Sequence, residues 1–133
     1  MTKPPSGQPP PATAELRDGT TLDLRSLAVE ICRRYRLEFP DERERYGDVG
    51  IAWCIHDNQH ILNWAVTDWN GFGGLRSQLE WLAGILHARE FPVSRLVRNL
   101  ELAADVVKPS HLGLSNALTD AARFVSDGVR SPG

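Results

Sequence analysis

From Asp23 onward, apolar residues recur every three or four positions, and that spacing divides the chain into helices. Leu24, Leu27, Ala28, Ile31, Cys32 and Tyr35 form the first stripe, the pattern of an amphipathic helix with one face toward a core. Asp23 precedes it as an N-cap. Pro40 ends it near Phe39, because a residue before proline is driven out of the helical region. Asp41 and Glu44 have the spacing of an acidic capping box, which predicts a short helical turn reaching Tyr46 before Gly47 breaks it. Asp48 then caps a long second helix expected to run to Trp69, followed by a turn over Asn70-Gly71-Phe72-Gly73-Gly74.

Leu75, Leu79, Leu82 and Leu86 mark a third helix reaching Arg89, which Phe91-Pro92 interrupts. Leu96, Val97, Leu100, Ala103, Ala104 and Val107 mark a fourth from Val93 to Val107, closed by Lys108-Pro109. Leu118, Ala121, Ala122 and Val125 carry the last, from Leu112 or Ser115 to Val129. No run alternates convincingly as a β-strand. Asp18-Gly19 can close a small hairpin between Leu16 and Leu22, but an isolated pair of strands is marginal, so an ordered turn suffices. Short connections between amphipathic helices favour antiparallel neighbours. The expected fold is therefore all-α, a compact and mostly antiparallel bundle of about five helices. It occupies residues 15–130 as a single domain, behind a disordered Pro-rich tail of residues 1–14 whose composition buries too little apolar surface to fold.

A length of 133 residues suits one core. The formal charge of −2 supplies no general positive field, so no nucleic acid partner is expected, and Arg33, Arg34 and Arg36 read as a solvated helix face. No apolar run approaches the roughly 20 residues that span a bilayer. The first residues lack the apolar stretch of a secretory signal, so a cytoplasmic location is expected. Cys32 and Cys54 are far apart and form no CxxC pair, which suggests two reduced thiols buried as small apolar side chains.

The chemistry concentrates in Trp53-Cys54-Ile55-His56-Asp57-Asn58-Gln59-His60-Ile61-Leu62-Asn63-Trp64. At about 100° per residue, Ile51, Ile55, Leu62, Val66 and Trp69 gather on one side of this helix. Trp53, His56, His60 and Trp64 gather on the other. Such a helix has two faces that avoid water, so either it lies centrally with its rings packed inside, or the Trp/His face, with Asp57 beside it, meets a ligand or partner. Histidines four apart can share a metal ion, but a zinc site needs a third or fourth ligand. If the second and third helices turn symmetrically near Gly71, His87 comes level with His56 and completes a candidate set of His56, His60 and His87. His87 also suits a solvated helix end, and His111 suits a loop.

The HxxxH spacing resembles that of the zinc-protease helix HExxH, with Asp57 in the glutamate position. In that pair alone it also resembles the DinB-type thiol transferases, helical bundles that bind a metal through three histidines. The first resemblance implies a metal-dependent hydrolase, the second a transferase. His60 beside Trp53 and Trp64 would equally suit the axial position of a tetrapyrrole. Gly71-Phe72-Gly73-Gly74 lacks the following Lys-Ser/Thr of a phosphate loop, and Cys54 and His56, two apart, do not face each other as a nucleophile pair. With no complete catalytic constellation, the favoured expectation is a non-enzymatic regulatory or protein-interaction module that senses a small ligand through Trp53, His56, Asp57, His60 and Trp64. A protein partner or a homodimer fits that expectation. Metal-dependent catalysis through the HxxxH pair and tetrapyrrole sensing are the alternatives.

Overall fold

The computed structural model describes residues 9–130, so most of the expected tail, residues 1–8, lies outside the described residues. Two short strands, β1 (Thr13–Glu15) and β2 (Thr21–Asp23), pair antiparallel ahead of five helices. The helices are α1 (Leu24–Glu38), α2 (Pro40–Thr67), α3 (Leu75–Ala88), α4 (Val93–Val107) and α5 (Leu112–Arg130). The helical bundle expected from periodicity is present. Its strongest packing joins α4 to α5 and α1 to α2, with α4 also lying against α1.

The hairpin is a departure from the sequence expectation, and it starts inside what the composition suggested was tail. Strand residues 13–15 pair because the bundle supplies what a lone hairpin lacks. Leu16 and Leu22 are 1% and 3% exposed in the common core. Asn70, after α2, accepts from the Arg17 backbone N–H and donates to the Glu15 carbonyl. Gln59 reaches the Pro11 carbonyl. Across the hairpin turn, Asp18 meets His111 Nε2 at 2.7 Å. The Thr20 backbone N–H and then His111 hold the Asp18 carboxyl down at about 2.

His111 lies in the loop before α5, as expected, and has a further role there. Its Nδ1 accepts from the Leu114 backbone N–H at 2.9 Å and so caps the start of α5. A nitrogen that accepts there leaves the ring proton on Nε2, directed at Asp18.

Asp23 caps α1 as expected, its carboxylate accepting from the Ser26 N–H at 2.9 Å. Pro40 opens α2 immediately after the Phe39 corner. The short turn and the long helix expected on either side of Gly47 are continuous except at that residue, whose φ of 64° and ψ of −152° break the helical path. Such a φ is costly for a side chain with a Cβ. Beyond Thr67, a π-helical turn (Asp68–Phe72) replaces the expected end at Trp69.

The two cysteines correct the sequence expectation. They are not separate reduced thiols: folding back at Phe39-Pro40 brings their Cα atoms to 6.1 Å, and a disulfide joins α1 to α2. Their separation of 22 residues says nothing of this proximity until the helical hairpin forms.

Trp69 lies between the hairpin and the start of α5. The Arg17 guanidinium lies 5.5 Å from its ring, His111 meets it edge-on, and Gly113 lies against its six-membered ring. A Cβ on Gly113 would come within 2.4 Å of Trp69 Cη2. Gly113→Ala should destabilise the fold by about 1–3 kcal/mol through overpacking. Gly84→Ala, with open space around the new methyl group, should instead gain about 0.5–1 kcal/mol in helix propensity. Paired urea melts measure both, and equal midpoints would refute the contact.

Candidate functional site

Gly50, Trp53, Cys54, Asp57, Asn58 and Ile61 follow one another along α2 at helical spacing and line a cavity of about 250 Å³. Opposite them stand Tyr35 and Arg36 from α1 and Leu82, Ile85 and Leu86 from α3. Arg89 after α3, Phe91 before α4, and Arg95, Leu96 and Asn99 complete that side. Glu42 and Tyr46, from the start of α2, form the remaining wall. The cavity therefore exists because α1, α2, α3 and α4 meet around one predominantly apolar space.

Its polar groups fall into three sets. Deepest are Asn58 and Asn99, 2% and 7% exposed. Their amides exchange hydrogen bonds of 3.1 and 2.8 Å, and Asn58 also donates to the Cys54 carbonyl at 3.0 Å. A buried amide must find such partners, since leaving one unsatisfied costs about 1–3 kcal/mol. The second set is Tyr35, Glu42 and Arg95. Tyr35 donates to Glu42, which also accepts from Arg95 at 2.7 Å, while Arg95 reaches Asp41 and stacks over Phe39 at 4.4 Å. Burial, followed by the Glu42 contact, raises the Tyr35 phenol far above its ordinary range. Glu42 and Asp41 stabilise the Arg95 cation.

The third set is Arg36 and Arg89, which line the cavity without forming an ion pair or hydrogen bond through their guanidinium groups to described residues. Arg89 acts on Asp57 only at longer range. Desolvation raises the Asp57 carboxyl, and the hydrogen bond to His56 at 3.3 Å opposes that shift.

The expected Trp/His face is divided. Trp53 and Asp57 line the cavity, whereas His56, His60 and Trp64 do not. The His56 and His60 rings are 4.6 Å apart, and His60 lies 6.3 Å from Trp64. His60 is buried and Trp64 packs on the core. His87 is exposed on the last turn of α3. Among the described residues no group of three His, Cys, Asp or Glu is placed to hold a metal ion, so His56, His60 and His87 are not gathered into a ligand set. No imidazole lines the cavity as a tetrapyrrole ligand. At about 250 Å³ the space also falls below the roughly 300–1,000 Å³ of drug-sized ligand pockets.

Sequence reasoning missed Tyr35, Arg36, Glu42, Arg89, Arg95 and Asn99 as site residues. Asn99 carried a signal: it lies three positions after Leu96 on the apolar stripe of α4, and a polar residue on a core stripe requires a partner. Asn58 shows the same pattern between Cys54 and Ile61. The charged wall residues had no comparable mark, because a cation on a helix is ordinarily a solvated one.

Asp57 gives this site a pH signature. Its folded pKa lies above the unfolded value, so its contribution is most favourable at low pH and is lost as pH rises through the folded value. Asp57→Asn should therefore raise stability at neutral pH, with the advantage vanishing below the unfolded carboxylate pKa of about 3.9. Urea midpoints across that range test the sign, and an advantage that grows on acidification would contradict it. Compared with known proteins, the chain matches no family model, no curated protein and no solved structure.

Proposed function

We propose that this chain is a small cytoplasmic, non-enzymatic regulatory module that senses a compact apolar carboxylate in the cavity between α1, α2, α3 and α4. The observation that carries the proposal is the pairing of an apolar cavity with two cations, Arg36 and Arg89, that have no carboxylate in contact among the described residues. Aliphatic side chains such as Leu82, Ile85 and Leu86, with the rings of Trp53, Tyr46 and Phe91, suit the body of the ligand. Its carboxylate meets the guanidinium groups, whose planar donors match two oxygens. The Trp53 indole N–H is buried without an acceptor among the described residues, and a ligand oxygen is the group it lacks.

Recognition without turnover is supported by how the other polar groups are engaged. Asn58 and Asn99 satisfy each other, and Glu42 is held by Tyr35 and Arg95. The volume limits the ligand to one or two rings or a medium aliphatic chain. Relative to the sequence expectation, the proposed ligand surface keeps Trp53 and Asp57, gains Asn58, and loses His56, His60 and Trp64.

Thermal unfolding with aromatic and aliphatic carboxylates, each matched to its neutral amide, tests the proposal. The acids should raise Tm and the amides should not. At a concentration about one hundred times Kd, an acid should add about 2.7 kcal/mol. Ile85→Trp, which fills the cavity, should abolish the shift, while Arg36→Gln and Arg89→Gln should each weaken binding about tenfold, the worth of one charge-assisted contact. Equal shifts from acids and amides, or a full shift in folded Ile85→Trp, would refute it.

A further inference from the structure

We propose that Cys32 and Cys54 form a reversible thiol–disulfide exchange site, reached through the cavity by a dithiol reductant, and that its redox state gates that cavity. The gating rests on the small-ligand proposal above, whereas the exchange chemistry stands apart from it.

Three observations support the site. The first is asymmetric access: Cys54 lines the cavity and Cys32 is fully buried. A reductant entering the cavity therefore meets Cys54 and leaves Cys32 as the departing thiol. The second is a polar group beside both sulfurs. Asn58 Nδ2 lies 3.5 Å from Cys32 Sγ and 3.6 Å from Cys54 Sγ. Its two hydrogens are directed first at the Asn99 and Cys54 oxygens, so the sulfur contacts are shared ones, yet even a shared N–H favours a thiolate, the form that leaves and re-forms a disulfide. A disulfide sealed in apolar surroundings has no such donor.

The third observation is what the bond encloses. The segment between the cysteines contains the Phe39-Pro40 corner and the Gly47 break, and it supplies Tyr35, Arg36, Glu42, Tyr46, Ile51 and Trp53 to the cavity wall. The disulfide ties both ends of that wall together. When it opens, Arg95 still holds Asp41 and Glu42, and Arg98 still holds Glu38 at 2.7 Å. The segment thus remains docked on α4 while losing the covalent constraint on its width.

The exchange balances in two steps. One thiolate of the dithiol attacks Cys54 Sγ, the protein S–S bond breaks, and its electron pair passes to Cys32 Sγ, which takes a proton. The second thiol of the reductant then attacks the reductant's own sulfur in the mixed disulfide. This releases Cys54 as a thiolate, which takes the other proton. The protein gains two electrons and two protons, and the dithiol becomes a disulfide.

The test uses the full chain with dithiothreitol in native buffer. Thiols are counted by alkylation and mass, folding is followed by near-UV circular dichroism, and binding of naphthoate is measured by calorimetry. The expected result is complete reduction of folded protein, an affinity about tenfold weaker, and recovery after reoxidation with glutathione disulfide. The Cys32→Ser/Cys54→Ser double variant should match the reduced protein and ignore dithiothreitol. Thiols that appear only where denaturant unfolds the chain would make the disulfide purely structural and overturn the exchange site. Equal naphthoate affinity in both redox states would overturn the gate. Absence of naphthoate binding in either state would overturn the small-ligand proposal together with the gate, while the thiol count would still decide the exchange chemistry.

Discussion

A helix buried on all sides has to satisfy its polar groups from inside the protein, and α2 is such a helix over its middle turns. Asn58, Gln59, His60, Ile61 and Leu62 are consecutive and all buried, so no rotation of the helix leaves one of them in water. Asn58 meets that constraint through Asn99 and the Cys54 carbonyl, and Gln59 through the Pro11 carbonyl ahead of β1. These bonds fix more than local geometry. Sliding α2 against α4 by one residue would separate the two amides and leave both buried without partners, a larger penalty than the loss of a surface pair. The register of the bundle is thus specified by polar groups within an otherwise apolar interior.

That register determines where the cavity lies. Asn58 sits beside the disulfide between α1 and α2, and Asn99 reaches it from α4, so three helices are pinned at one level. A second anchor lies at the Phe39-Pro40 corner, where Arg95 stacks on Phe39 and binds Asp41 and Glu42. Arg95 and Glu42 are both partly buried, their side chains 23% and 19% exposed, so this contact resists screening better than exposed pairs such as Arg33 with Glu30. The space between the two anchors is bounded by α3 rather than filled by it. Arg36 and Arg89 line the same space without an ion pair among the described residues, the asymmetry on which the ligand proposal depends.

Much of the fold was legible because helix-forming signals are local. The Leu24/Ala28/Ile31/Tyr35 stripe, the Asp23 cap, the Pro40 stop and the Leu75/Leu79/Leu82 stripe each depend on neighbours within one or two turns. The β1–β2 hairpin was underestimated because its stability is not local: Leu16 and Leu22 enter the bundle core, while Asn70 and His111 hold its backbone and turn from distant positions. The candidate site was less legible. Trp53 and Asp57 belonged to the expected face and line the cavity, but His56 and His60 drew attention because their spacing has known chemistry. Spacing places two imidazoles side by side and has no means of bringing His87 to them.

By itself, the sequence determined the helices, the Asp23 cap, the breaks at Pro40 and Gly47, the apolar stripe each helix presents, and two water-avoiding faces on the second, while the caps expected from Asp41 and Asp48 did not form. These follow from rotation per residue, side-chain shape and proline and glycine backbone limits, all properties of short segments. Only the tertiary structure decided which face of α2 borders a cavity, that Cys32 and Cys54 are bonded, that Asn58 and Asn99 satisfy each other, and that Arg36 and Arg89 line one cavity without a carboxylate in contact among the described residues. Each of those facts joins residues from different helices. Such pairings depend on how the helices are turned and offset, which is settled when many buried contacts are satisfied together rather than by any one stretch of chain.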